Sequence, residues 1–290
     1  MQTFEQLRFR VKSDPAAHVA VSFGFSSGST FIGSWNDTGI GTGTTRLHIG
    51  LRLLSFDATP IAGVTAQVGS LQLARGESTE ITTFDNDGYM TGERFTAHRP
   101  HELFFDDITI ARGYVGDPNT PSVFDRMHRL GDFNYQQYLL ARHIGKRLWA
   151  SGDYTRWQQA NISHAAARAL VPELRFVDTL KYEQYTRASA KADTVYGFAV
   201  SGDKKLLPPL IVTFGYADID KNYGGLNADR FNRGRRFFGI ASYTLSPVLT
   251  LSTFVGRAVF NDYAVSNHTR FDLFLTYNAL AHLQRAGWLR

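Results

Sequence analysis

From Phe237 to Phe260 the chain reads FFGIASYTLSPVLTLSTFVGRAVF, and its first arm alternates with a period of two. Phe237, Gly239, Ala241, Tyr243 and Leu245 share one face, while Phe238, Ile240, Ser242 and Thr244 share the other. Successive side chains of a β-strand point to opposite sides, so this period predicts a strand. Ser246 and Pro247 reverse the chain where a missing N–H interrupts no ladder. The stretch therefore predicts a long hairpin with almost no connection, one repeat of an antiparallel sheet that closes into a barrel.

The same plan recurs along the chain. In QLRFRVK, Leu7, Phe9 and Val11 oppose Gln6, Arg8, Arg10 and Lys12, and after Ser13-Asp14-Pro15 the return arm sets Val19, Val21, Phe23 and Phe25 against His18, Ala20, Ser22 and Gly24. Leu47, Ile49, Leu51 and Leu53 then oppose Arg46, His48, Gly50 and Arg52, with a short connection expected over Asp57 to Ile61. Further hairpins are expected about Arg99-Pro100 and about Gly145-Lys146. Residues 159–171 (QANISHAAARALV) have the alanine content of a helix, but Ala165, Ala167, Ala169 and Val171 alternate with His164 and Arg168, and a strand is the reading adopted. Leu174, Phe176, Leu180 and Tyr182 oppose Arg175, Thr179, Lys181 and Glu183, with Asp178 the polar exception. Tyr196, Phe198 and Val200 lead into a turn read at GDKKLLPP, and Phe271, Leu273, Leu275 and Tyr277 mark a terminal strand.

Between these hairpins lie long polar stretches: Ser26 to Thr45, Arg75 to Gly92, the run GDPNTPSVFDRMHRLGDFN, and Lys221 to Arg235. Short and long connections are thus expected to alternate. Seven hairpins and a last strand make about fifteen strands. A ring with both ends on the short-turn side needs an even number, so a strand before Met1 is expected, giving about sixteen within a range of about 14 to 18. A soluble β-sandwich also alternates, but it does not explain this rhythm of connections or so many strands of nine or more residues. The expected fold is all-β, a transmembrane antiparallel up-and-down barrel forming a single domain over residues 1–290.

Composition narrows the function classes. No stretch approaches eighteen uninterrupted apolar residues, which excludes a helical membrane protein and leaves barrels open. With Cys 0 there is no disulfide, thiol nucleophile or cysteine metal site. Of 31 Lys+Arg, 24 are Arg, the cation whose planar fork suits carboxylates and phosphates. If the apolar faces touch lipid, then Arg8, Arg10, Lys12, Arg46, His48, Arg52, Arg175 and Lys181 line the lumen, and such cations favour anions. The alternative is that each is braced by a carboxylate such as Glu183 or Asp272.

Other chemistry has little support. Ser163 and His164 are neighbours on a strand and face opposite sides, so they do not form a nucleophile–base pair. Asp85, Asn86 and Asp87 lack the remaining spacing of a calcium loop, and GIGTG lacks the strand-to-helix context of a phosphate loop. RFNRGRR beside a barrel mouth suits anions or lipid phosphates rather than nucleic acid. The chain is expected to be no enzyme, and no cofactor or metal is expected.

NADRFNRGRRFF, SYTLSPVLTLSTF and RFDLFLTYNAL resemble the closing hairpins of Gram-negative outer-membrane porins. QVGSLQLARGE followed by DNDGYMTGERF is similar to a strand and loop of the alginate-export type. The resemblance implies an outer-membrane, cofactor-free channel for passive diffusion of hydrophilic solutes, with a basic lumen for a polyanionic sugar in the alginate-export case. It implies contact with membrane lipid and lipopolysaccharide, and leaves a homo-oligomer or a partner protein open. A non-conducting barrel that sheathes or scaffolds a partner protein is the alternative reading.

Overall fold

The computed structural model describes residues 4–13, 18–28, 50–77, 89–98, 104–115, 123–189, 192–220, 222, 234–259 and 269–287. Its strands are β1 (Phe4–Lys12), β2 (Val19–Gly28), β3 (Gly50–Ile61), β4 (Val64–Gln72), β5 (Tyr89–His98), β6 (Asp107–Tyr114), β7 (Tyr135–Ile144) and β8 (Leu148–Trp157). They continue as β9 (Ala160–Leu170), β10 (Thr179–Ser189), β11 (Ala192–Leu207), β12 (Leu210–Ile219), β13 (Gly234–Ser246), β14 (Leu249–Ala258) and β15 (Thr269–Tyr277). Two short helices, α1 (Phe124–Met127) and α2 (Ala279–Arg285), complete the set.

All fifteen strands form one sheet in chain order, each antiparallel to the next. This is the up-and-down order expected of a barrel. The seven hairpins at the short-turn end are those read from the pattern, and 160–170 is a strand despite its alanines. β1 and β15 are the two ends of the sheet and run the same way, so a ring closed by antiparallel pairs takes an even number of strands.

Several boundaries differ from the pattern. The residues expected to turn at Asp57 to Ile61 continue β3, and the chain reverses at Ala62 and Gly63, the latter at φ 80°. GDKKLLPP likewise stays in β11 up to Leu207, leaving Pro208 and Pro209 to turn. β10 starts at Thr179 rather than Leu174, because Pro172 opens a run of turns. Asp178 belongs to that connection, where the Lys204 ammonium and the Lys205 N–H hold its carboxyl below the ordinary range. The expected alternation of connections also fails in the middle: at the loop end, β8 and β9 are joined by Gln158 and Gln159 alone.

Among the described residues, the outer face carries large apolar side chains from β1 round to β15. Phe9, Phe56, Phe95, Tyr138, Phe214, Phe237 and Phe271 stand on it, each at least 43% exposed. The inner face has two zones. Toward the loop end Leu71, Met90, Tyr135, Ile162, Phe238 and Phe254 belong to one buried apolar cluster, which the simple rule of polar residues inside did not foresee. Toward the short-turn end the inner face carries charge.

Two backbone irregularities shape this wall. Leu51 pairs with Phe25 and Leu53 with Gly24, so Arg52 is an extra residue and the phase of β3 changes there. Gly69 holds φ +126°, and a Cβ would lie 2.3 Å from the Leu54 carbonyl oxygen. Gly69→Ala is therefore expected to destabilise the barrel by about 1–3 kcal/mol. Urea unfolding in lipid vesicles tests this as a lowered midpoint at unchanged m-value.

Candidate functional site

On β1, alternation places Arg8, Arg10 and Lys12 on the inner face. Arg10 Nε lies 3.6 Å from Asp57 Oδ2. Asp57 is buried and also accepts hydrogen bonds from Ser22 Oγ at 2.7 Å, Ser55 Oγ at 2.9 Å and Gln67 Nε2 at 2.8 Å. Gln67 passes the network on: its Oε1 accepts from Arg94 Nε at 2.8 Å and Nη2 at 2.6 Å. Arg94 Nη1 reaches the Gln72 carbonyl at 3.0 Å, and Arg8 Nη1 reaches Gln72 Oε1 at 3.0 Å. Arg10 thus pairs with Asp57, and Gln67 and Gln72 link Arg94 and Arg8 into the same network across five strands. The network holds three guanidiniums and the Asp57 carboxylate.

After Gln72 the chain leaves the wall. Residues 73–77 turn inward and reach β7, β8 and β9, passing over β5 and β6 in sheet order. Gln137 Nε2 donates to the Ala74 carbonyl at 3.0 Å, the Glu77 N–H donates to Ser151 Oγ at 2.8 Å, and Arg168 Nε donates to Glu77 Oε2 at 3.1 Å. Gly76 makes this approach feasible, since a Cβ there would lie 2.2 Å from Ser151 Oγ. Arg168 is stacked on the Trp149 ring at 4.1 Å. The segment therefore runs from a cationic patch to a second wall where its own carboxylate is paired.

Behind it, within the wall, is a buried set of titratable groups. His164 Nδ1 is 2.9 Å from Asp153 Oδ2, and Nε2 is 2.7 Å from Glu183 Oε1. The register pairs Asp153 directly with His164, and Glu183 is on the adjoining strand. Ser163 is exposed on the opposite face, so no nucleophile serves this histidine. Among the described residues no group of three His, Asp or Glu has the arrangement of a metal site.

The residues picked from the sequence meet different fates. Arg8 and Arg10 belong to the inner patch, and Lys12 is exposed beside it at the strand end. Arg46 and His48 lie outside the described residues, as do Asp85, Asn86, Asp87 and the GIGTG run. Arg52 is fully buried, with its guanidinium over the Tyr89 ring at 4.9 Å. The α1 segment covers it: Arg126 Nη2 donates to the Arg52 carbonyl at 2.9 Å and to Ser70 Oγ at 3.1 Å. Lys181 is inward but braced by Asp203 at 2.8 Å. Arg175 is not on the wall at all: it is exposed in the connection before β10, because the strand begins four residues later than the pattern suggested. Asp272 pairs with Arg270 at 2.7 Å, and Glu183 with His164. Arg168 and Glu77 were missed because their contacts come from the inward segment, which has no period of its own, and Arg94 because the alternation is rough from Glu93 onward.

No protein-family model matches the sequence, and no curated protein is similar to it in sequence. Solved structures are similar in shape. A triple mutant of the Rhodopseudomonas blastica porin matches with a TM-score of 0.54 at 12% identity, covering 95% of this chain and 89% of that one. Salmonella typhi OmpF in complex with daunomycin matches with a TM-score of 0.61 at 12% identity, covering 95% and 90%. At this identity the likeness is one of fold, and the fold of this chain is the porin-type antiparallel β-barrel.

Proposed function

We propose that the chain is an outer-membrane channel for passive diffusion of hydrophilic solutes, with a preference for anions. The observation that carries the membrane reading is the apolar outer face, which is exposed on strand after strand and has no counterpart on a water-soluble surface. Short turns then face the periplasm and long links the exterior. Support for anion preference comes from Arg8, Arg10 and Arg94 joined in one inner-face network through Gln72, Gln67 and Asp57, with Lys12 at the rim. The finer resemblance to alginate exporters would make the solute a polyanionic sugar.

The test is single-channel conductance of refolded protein in a planar bilayer under a salt gradient. Steady conductance with an anion-selective reversal potential is expected. Exchanging Arg8 and Arg10 for Glu should move the permeability ratio toward cations by about tenfold. A second reading, a non-conducting sheath for a partner protein, is favoured by the apolar cluster on the inner face toward the loop end. Inserted protein without conductance would establish that reading over the first.

A further inference from the structure

The outer face of β6–β8 is not smooth. A groove of about 600 Å³ runs along it, lined by Ile108, Ile110, Tyr138, Leu140 and Tyr154, with Phe104 at its edge. Its floor is low because Gly152 and Ala150 stand opposite Leu140 and Arg142 in the register, and Ala165 and Ala167 continue the floor onto β9. At the short-turn end of the groove sits Arg142, two residues before β7 ends. Its guanidinium lies 3.7 Å above the Phe104 ring and makes no ion pair among the described residues.

The described carboxylates at the start of β6 and in the turn after β9 are engaged elsewhere. Asp106 accepts from the His143 N–H, Asp107 meets His98, and Glu173 meets Arg147. Arg142 is thus, among the described residues, a cation without a counter-ion at one end of an apolar trough on the face read as touching lipid. A trough of this kind fits a hydrocarbon chain, and a guanidinium fits a phosphate diester in its planar fork.

We propose that this groove holds an acyl chain of an anionic glycerophospholipid, with the phosphate on Arg142. The inference rests on the membrane placement proposed above. A second copy of the chain fits less well, since the described rim offers Arg142 no free carboxylate and the Glu93–Arg112 pair on the same face is already closed on itself.

The test is native mass spectrometry of the refolded protein in detergent with equal amounts of phosphatidylglycerol and phosphatidylcholine. Retention of phosphatidylglycerol about fivefold above phosphatidylcholine is expected, from roughly 1 kcal/mol per basic side chain at an anionic surface. Arg142→Gln should abolish the preference while the chain is still retained. Gly152→Leu should reduce retention of both lipids; a Cβ at Gly152 meets nothing closer than the His164 carbonyl at 3.7 Å, so the variant has room to fold. Protein that inserts and conducts but retains no lipid overturns the groove assignment and leaves the channel reading intact. Retention unchanged in both variants overturns it too, as does a dimer mass without lipid that Gly152→Leu abolishes, which would give the groove to a second copy.

Discussion

Replacing His164 by alanine is expected to destabilise the folded barrel by about 3–5 kcal/mol, the usual cost of removing one partner from a buried ionic set. The imidazole joins Asp153 and Glu183, and all three side chains are at least nine-tenths buried. Without the ring, two carboxyl groups remain inside the wall with no cation between them, and each loses a hydrogen bond. The change should be read by urea unfolding in lipid vesicles, followed through tryptophan fluorescence. Replacing all three groups by leucine should recover most of the loss, since apolar substitution of a whole buried set is often near neutral. An unchanged midpoint in the alanine variant would mean that water reaches the two carboxylates, which their burial argues against.

The fold was legible because its signal is repeated. Period two survives wherever one face of a strand meets an apolar medium, and it outweighed the helix propensity of the alanines in β9. Strand ends were less legible, for local reasons. Pro60 suggested a turn, yet it lies at the last hairpin residues of β3, where the pairing with β4 is already irregular. Pro172 placed a turn correctly, but the pattern after it continued by chance through Leu174 and Phe176, and Arg175 was carried onto the wall with them.

The site was legible only in part. Arg8 and Arg10 stand in the cleanest alternation of the chain, so their direction followed from sequence. Arg52 was placed on the correct side, but its burial depends on α1 and on a bulge, neither of which leaves a trace in the period. Asp57, the centre of the inner network, was taken for a turn residue. The Asp153–His164–Glu183 set could have been found once β8, β9 and β10 were aligned, because register alone makes its members neighbours.

The inward segment is the part no periodicity could show, and it is where a small substitution should have the largest effect on transport. Gly76→Leu is expected to unpin residues 73–77 from the second wall. The glycine stands so close to Ser151 and Leu139 that even a Cβ would overlap them, at 2.2 Å from Ser151 Oγ and 3.2 Å from Leu139 Cδ1. Overpacking of this kind costs about 1–3 kcal/mol. Among the bonds that hold the segment are Ala74 to Gln137, Glu77 to Ser151, and Glu77 to Arg168. If the cost falls on the pinned state alone, the ratio of pinned to released segment drops by about 5–150-fold. On the proposed channel reading, a released segment sweeps the aqueous path, so single-channel records should change from a steady level to flicker with a lower mean current. The pair Gly76→Ala and Ser151→Gly separates this from general damage. Gly76→Ala alone should flicker, whereas adding Ser151→Gly removes the two nearest atoms, leaves only the end of the Leu139 side chain to shift by a few tenths of an ångström, and should restore a steadier level at the loss of the Glu77 N–H bond. Equal, steady conductance in Gly76→Leu and the unsubstituted protein would show that the segment does not control passage, and the constriction would then have to lie in the apolar zone toward the loop end.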